Sequence, residues 1–296
     1  MFKDLLRTML SVVLNFLGSK RHDWEPRFFG EKKHTKKLVE KVSRFQKSYG
    51  IRETGIVDKP TIRRRITEKE ARSLAIMDND ADKKSYIICK GSNALIEWDK
   101  VVTFQEPRGL SLGPKTFRRH KSDRKPTMFV VHWDVCLSSE SCFKILEKRG
   151  LSVHFLIDND GTIFQIMDCN DIGFHAGNRK VNNASIGVEI SNAYYPKYQR
   201  IYEKRGFGKR PVLNGVKVHG EELEPFLGFY PVQLEALKAL SSALSRAYGI
   251  PLVAPKEEGV SLEARTAKFN GVVNHYHLTK RKIDCAGLRL DKLFEE

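Results

Sequence analysis

The stretch NHYHLTKRKIDCAG, residues 274–287, places two imidazoles, an aspartate and a thiol in one short, turn-ended segment. Three readings compete: a metal site, a basic surface loop, or chance composition. Other residues of the same chemical kind sit where short apolar runs begin or end. His132 closes VVH, His154 precedes FLI, His175 lies in GFHAGN, and Glu189 interrupts IGVEIS. A carboxylate between Val188 and Ile190 needs a partner or a purpose, because burying an unpaired charge is expensive. The bland alternative is that Glu189 faces solvent on the outer side of its strand. His132 taken alone reads as a satisfied core histidine. Taken with His275 and Cys285 it completes three donors, the number a catalytic zinc site draws from protein while leaving one position open.

Those residues need elements to hold them. MFVVHWDV (128–135) is a continuous apolar run that suits a buried strand. SCFKILEKRG fits a helix stopped by Gly150. VHFLIDNDGTIFQIMD alternates around Asn159-Asp160-Gly161, a hairpin signal. SIGVEISNA reads as another buried strand, and YIICKGSNALIEW as a hairpin. YPVQLEALKALSSALSRAYGIP carries the longest helical period, with Leu234, Leu237, Leu240, Ala243, Leu244 and Ala247 on one side. Strands mixed with helices predict an α/β domain with a mixed central sheet flanked by helices.

The chain's 296 residues suffice for one sizeable domain and a small one. A net charge of +16 points to a polyanionic partner: nucleic acid, an anionic membrane surface, or an anionic envelope polymer. RHKSDRKP and IRRRI supply bases, yet no aromatic-basic RNA motif or helix-turn-helix pattern accompanies them, so nucleic acid is not expected. The five cysteines are scattered and odd in number, a poor disulfide framework. Most of them read as reduced, small buried residues, and Cys136 and Cys142 are the candidate pair.

At the N-terminus, Leu5, Leu6, Met9, Val12, Val13, Phe16 and Leu17 fit one helical face. The run is too short to span a bilayer, and Asp4 and the missing A-x-A site weaken a signal-peptide reading. An amphipathic helix lying on a membrane or on the protein itself is expected. Residues 18–34 read as a linker. Beyond them Leu38, Val42 and Phe45 recur at helical spacing, Gly50 stops that helix, and Thr61, after Asp58-Lys59-Pro60, starts another. Val42, Phe45-Gln46, Tyr49-Gly50, Thr54-Gly55, Val57-Asp58 and Pro60-Thr61 resemble the small three-helix peptidoglycan-binding module often fused to cell-wall hydrolases. The organisation expected is an N-terminal segment and linker at 1–34, that module at 35–77, and a catalytic domain at 78–296.

Within residues 126–290, four ordered motifs carry a second resemblance: VVHWD, LSVHFLIDNDGTIFQIMD, GFHAGN with NNASIGVEISNA, and NHYHLTKRKIDCAG. Together they resemble the zinc-dependent N-acetylmuramoyl-L-alanine amidases shared by phage lysins, bacterial amidases and animal peptidoglycan recognition proteins. The resemblance implies a Zn2+ cofactor, bacterial peptidoglycan as partner, and action in the bacterial wall or periplasm after synthesis in the cytoplasm. It matches His132 and His275 to the histidine ligands, with His277 the other choice for the second. Aligned without a gap, Cys285 takes the third ligand position; a one-residue gap gives Asp284 instead, and Cys285 is preferred. Glu189 falls at the acidic position of a general base, and Lys282 at that of an oxyanion donor. His154 and His175 are expected to line the substrate cleft, and Asn178 and Asn192 are weaker candidates for it. Val153 stands where some phage relatives have a tyrosine, which throws more weight onto Glu189. The implied reaction is hydrolysis of the amide between muramic acid and the first alanine of the stem peptide. The alternative is a non-catalytic recognition protein of the same fold.

Overall fold

A computed structural model describes residues 2–22, 24–48, 50–62, 65 and 85–295. The chain divides into two compact units, Met1–Lys83 and Lys84–Glu296. The expected boundary near residue 78 falls outside the described residues.

The larger unit is built on a six-stranded sheet. Its strands are β3 (Val101–Thr103), β4 (Met128–Trp133), β5 (Phe155–Ile157), β6 (Ile163–Gln165), β7 (Ser185–Ile190) and β12 (Gly271–Asn274). Their order across the sheet is β12-β4-β7-β5-β6-β3. The β5–β6 pair is the antiparallel hairpin turned by Asn159-Asp160-Gly161, and the other pairs are parallel. Before the sheet comes the hairpin of β1 (Ser85–Cys89) and β2 (Ser92–Ile96). Two-residue ribbons decorate the later chain: β8 (Val212–Leu213) with β11 (Phe226–Leu227), and β9 (Lys217–Val218) with β10 (Glu221–Glu222).

Both faces of the sheet are covered, which is why β4 reads as an unbroken apolar run. Phe129, Val131 and Trp133 point to one face, where they share a core with Leu237, Leu240 and Leu244 of the long helix Pro231–Tyr248. Met128 and Val130 point to the other, toward Val181 of the short helix Arg179–Ala184 and toward Ala264. Under β5 and β6 that second face packs on Cys142, Phe143 and Leu146 of the helix Ser139–Arg149. That helix ends at Gly150 with φ 64, as the sequence implied. His132 follows the period-two alternation of β4 onto the second face, with Met128 and Val130.

The smaller unit holds α1 (Phe2–His22), α2 (Lys36–Ser48) and a helical turn at 59–62. Leu38 and Val42 are buried with Trp24, Phe29 and Val57. Gly55 is required by the fold: φ is +66, and a Cβ there would lie 2.5 Å from Val39 Cγ1. Two expectations are corrected. Residues 18–34 do not form a free linker, since α1 runs to His22 and Trp24 and Phe29 lie in the core. Nor does α1 pack within its own unit through the apolar face, one of the two placements expected for it; Ser11, Asn15 and Ser19 are its buried side chains among those described. All five cysteines are free, including Cys136 and Cys142.

Candidate active site

Strand register alone brings the central residues together. Val131 of β4 pairs with Asn274 of β12, so His132 and His275, the next residue of each, stand side by side where β12 ends. On its other flank His132 pairs directly with Glu189 of β7. The site thus sits at the carboxyl ends of three adjacent parallel strands, the usual place for a ligand in such a sheet.

Three donor atoms converge there. His132 Nδ1 lies 2.9 Å from His275 Nδ1 and 3.2 Å from Asp284 Oδ2, and His275 Nδ1 lies 2.9 Å from that same oxygen. All three residues are buried. Burial, followed by the charge of His275, pushes His132 down to about 4. Burial alone would raise Asp284, but hydrogen bonds from His132 and His275 hold it below the usual carboxylate range. Two imidazole nitrogens and one carboxylate oxygen, with a further position open, form a donor set that suits a catalytic divalent metal. Tetrahedral ligands at about 2.0–2.1 Å from zinc stand roughly 3.3 Å apart, close to the spacing of these three atoms.

Cys285, expected as the third donor, is placed elsewhere. It is fully buried in the apolar cluster that includes Trp133, Tyr276 and Leu288, and burial pushes its thiol up, away from the thiolate a metal requires. The adjacent residue, Asp284, brings its Oδ2 to the two histidines instead. His277 also stands apart, because both its ring nitrogens are engaged. Nδ1 accepts from Asn274 N at 3.1 Å, and Nε2 contacts the Glu257 carbonyl at 3.0 Å.

Glu189 is the unusual group. The residue is partly exposed, yet its Oε2 is buried and has no hydrogen-bond partner. Burial first, then the charges of Asp284 and Asp134, raise its pKa well above the ordinary carboxylate value; Lys282 opposes them. Lys282 itself is exposed, with its carbonyl accepting from His219 Nε2 at 2.8 Å.

The other two histidines support the site from behind. His175 Nδ1 lies 3.0 Å from His132 Nε2, and His175 Nε2 lies 3.3 Å from Ser185 Oγ. Gly187 makes room for it, since a Cβ there would come within 2.9 Å of the His175 ring. His154 does not line a cleft as expected: it is fully buried. Its Nδ1 accepts from Gly187 N at 3.0 Å, and its Nε2–H donates to the Asp171 carbonyl at 3.0 Å. Asn178 caps the helix Arg179–Ala184, and Asn192 is buried with its amide on the Leu227 carbonyl.

Sequence reasoning missed the groups that brace this corner. Asp134, two residues past His132, accepts from Cys136 N, Asn192 N and Ser191 Oγ, and burial raises it to about 7. Arg210, buried, donates to the Ser191 and Gly228 carbonyls. Nothing local in GKRPV marks that arginine as internal.

Residues 122–286, more than half of the chain, match the family described as N-acetylmuramoyl-L-alanine amidase (Amidase_2). The chain belongs to that family. The chain is 31% identical over 104 residues to the "Putative N-acetylmuramoyl-L-alanine amidase RC0497" of Rickettsia conorii. The matched stretch is 33% of this chain and 37% of that relative, so the chain spans well under two thirds of the relative's length. Among solved structures, the chain is similar to AmpDh3 of Pseudomonas aeruginosa, determined with an anhydromuramic pentapeptide, at 20% identity and a TM-score of 0.39. That likeness covers 63% of this chain and 66% of AmpDh3. A likeness to the Ph2119 endolysin of a Thermus scotoductus bacteriophage has 17% identity and a TM-score of 0.38, and covers 66% of this chain and 97% of the endolysin.

Proposed function

We propose that the protein hydrolyses bacterial peptidoglycan at the amide between N-acetylmuramic acid and the first L-alanine of the stem peptide. The observation that carries this reading is the convergence of His132, His275 and Asp284 beside the unpartnered Glu189 carboxylate, in a chain of this family. His132, His275 and Asp284 would hold the metal, which we take to be zinc. Zinc supplies Lewis acidity, polarising the scissile carbonyl and making water nucleophilic near neutral pH.

The rest falls to the chain's own side chains. Glu189 Oε2 accepts a proton from the attacking water and returns it to the departing alanine nitrogen. Lys282 places positive charge beside the oxyanion of the tetrahedral intermediate. His175 fixes the His132 ring through its Nε2, the sort of outer contact that orients a ligand. The N-terminal module, residues 35–77, adds affinity for the wall and no chemistry, and the protein acts where peptidoglycan is exposed.

The test is mass spectrometry of digested peptidoglycan together with elemental analysis of the protein. Free stem peptides with an unblocked alanine, and about one zinc per chain, are expected. Cut glycan strands would remove the amidase reading. Wall binding without any cleavage, from zinc-replete protein, would replace it with a recognition protein. Iron in place of zinc would leave the donor set standing and change the cofactor, since two histidines and a carboxylate also suit Fe(II).

A further inference from the structure

Helix α1 is built inside out. Its buried stripe is polar: Ser11, Asn15 and Ser19, spaced four apart on one side. Asn15 Nδ2 donates to the Gly55 carbonyl at 2.8 Å, and Asn15 Oδ1 accepts from Val57 N at 2.7 Å. Ser11 Oγ reaches the Thr54 carbonyl at 3.4 Å. The apolar residues face the other way. Leu6, Met9, Leu10, Val13, Phe16 and Leu17 are between 44% and 63% exposed. A helix that faces water has the opposite arrangement, with its apolar stripe inward. An apolar stripe this continuous, fixed outward by specific hydrogen bonds on the far side, marks an interaction surface.

Charge selects the occupant. No ionisable residue lies between Thr8 and Ser19, and Arg7, Lys20 and Arg21 flank that span with exposed side chains. The first 65 residues hold seventeen Lys or Arg against seven Asp or Glu, so +10 of the chain's +16 resides there. A second copy would bring two strongly cationic units together. An anionic wall polymer would answer the charge and offer no apolar phase for six large side chains. An anionic bilayer answers both. Among the described residues no helix is long and apolar enough to cross a membrane, so the fit is in the plane of the interface.

We propose that α1 is an interfacial membrane helix that seats the N-terminal unit on an anionic phospholipid surface. Its outward apolar residues enter the acyl-chain boundary, and the surrounding bases meet the headgroups. The inference stands apart from the hydrolase reading and survives its failure.

The experiment is vesicle co-sedimentation of the full chain. Phosphatidylcholine vesicles containing phosphatidylglycerol should bind it, added salt should weaken binding, and pure phosphatidylcholine should bind less. The combined variant Leu6→Ser, Leu10→Ser, Val13→Ser and Leu17→Ser changes only exposed positions, and should lower partitioning by at least about tenfold. In a separate Leu10→Trp protein, bromine-labelled acyl chains should quench the fluorescence that the new indole adds. Equal partitioning of the wild type and the four-site variant would overturn the proposal, as would an added indole signal that the brominated chains leave unquenched. A wild type that ignores vesicles and dimerises, with the dimer lost in the four-site variant, would overturn it and assign the face to a second copy.

Discussion

Both units bury polar side chains, and they use them differently. In the smaller unit Gln46 is fully buried, and its amide is spent on the local chain. Its Oε1 accepts from Thr54 N and Gly55 N, both at 2.9 Å, while Nε2 donates to the Ile56 carbonyl and Thr61 Oγ1, also at 2.9 Å. In the larger unit Glu189 keeps a buried oxygen with no partner, next to three donors crowded within 3.2 Å of one another. Among the described residues it is the one carboxylate with an orphaned buried oxygen. A satisfied buried amide specifies a fold; an unsatisfied buried carboxylate beside a donor cluster is costly and signals reactivity.

The comparison breaks first at the donor cluster. Asp284→Ala should lose bound metal and drop hydrolysis to background, about 10⁴-fold or more. Cys285→Ser should keep its metal and lose only some stability, because a hydroxyl replaces a thiol in an apolar setting. Elemental analysis of the two purified variants decides the matter. Metal retained in Asp284→Ala and lost in Cys285→Ser would return the third donor to the thiol.

Glu189→Gln is next. The amide keeps the shape and cannot take a proton, so the rate should fall by about 10²–10⁴-fold with metal content unchanged. Activity near wild type would reduce Glu189 to an architectural group like Gln46. The matching test in the smaller unit is Gln46→Ala. It strands the Thr54 and Gly55 N–H groups, at a cost of about 3 kcal/mol. Denaturation should show the N-terminal transition displaced, while turnover of a small soluble muropeptide stays the same. A matching loss of turnover would show that the two units do not divide binding from chemistry.

Much of this was legible in sequence, for physical reasons that can be traced. Continuous runs such as MFVVHW and SIGVEI announce strands buried on both faces, and Asn159-Asp160-Gly161 dictates its hairpin. That His132 and Glu189 sit on strands follows from those runs; that the two strands are neighbours does not, because β4 and β7 are not consecutive in the chain. The third donor was harder, because Asp284 and Cys285 are adjacent in a turn with no period, and nothing local tells which side chain faces the site. The orientation of α1 was missed by weighing only its apolar residues. The spacing of Ser11, Asn15 and Ser19 held the missing signal, a polar stripe capable of docking.

The smallest expected effect concerns His154, a buried group whose hydrogen bonds, unlike those of Glu189, are complete. Its Nδ1 accepts the Gly187 N–H, and its Nε2–H donates to the Asp171 carbonyl. Burial, then the Arg124 charge, lowers it from 6.5 to about 3. The ring is therefore neutral in the folded protein and protonated in the unfolded chain between those values. Its contribution to stability is complete above pH 6.5 and is lost as pH falls toward 3. The limiting slope is about 1.4 kcal/mol per pH unit for one proton. His154→Gln should be less stable at neutral pH, since its amide replaces the ring imperfectly. It should also show a pH dependence shallower by close to one proton, read from urea midpoints across the acidic range. An unchanged slope would mean that the folded ring titrates normally, and that Gly187 and Asp171 do not lock it as its hydrogen bonds imply.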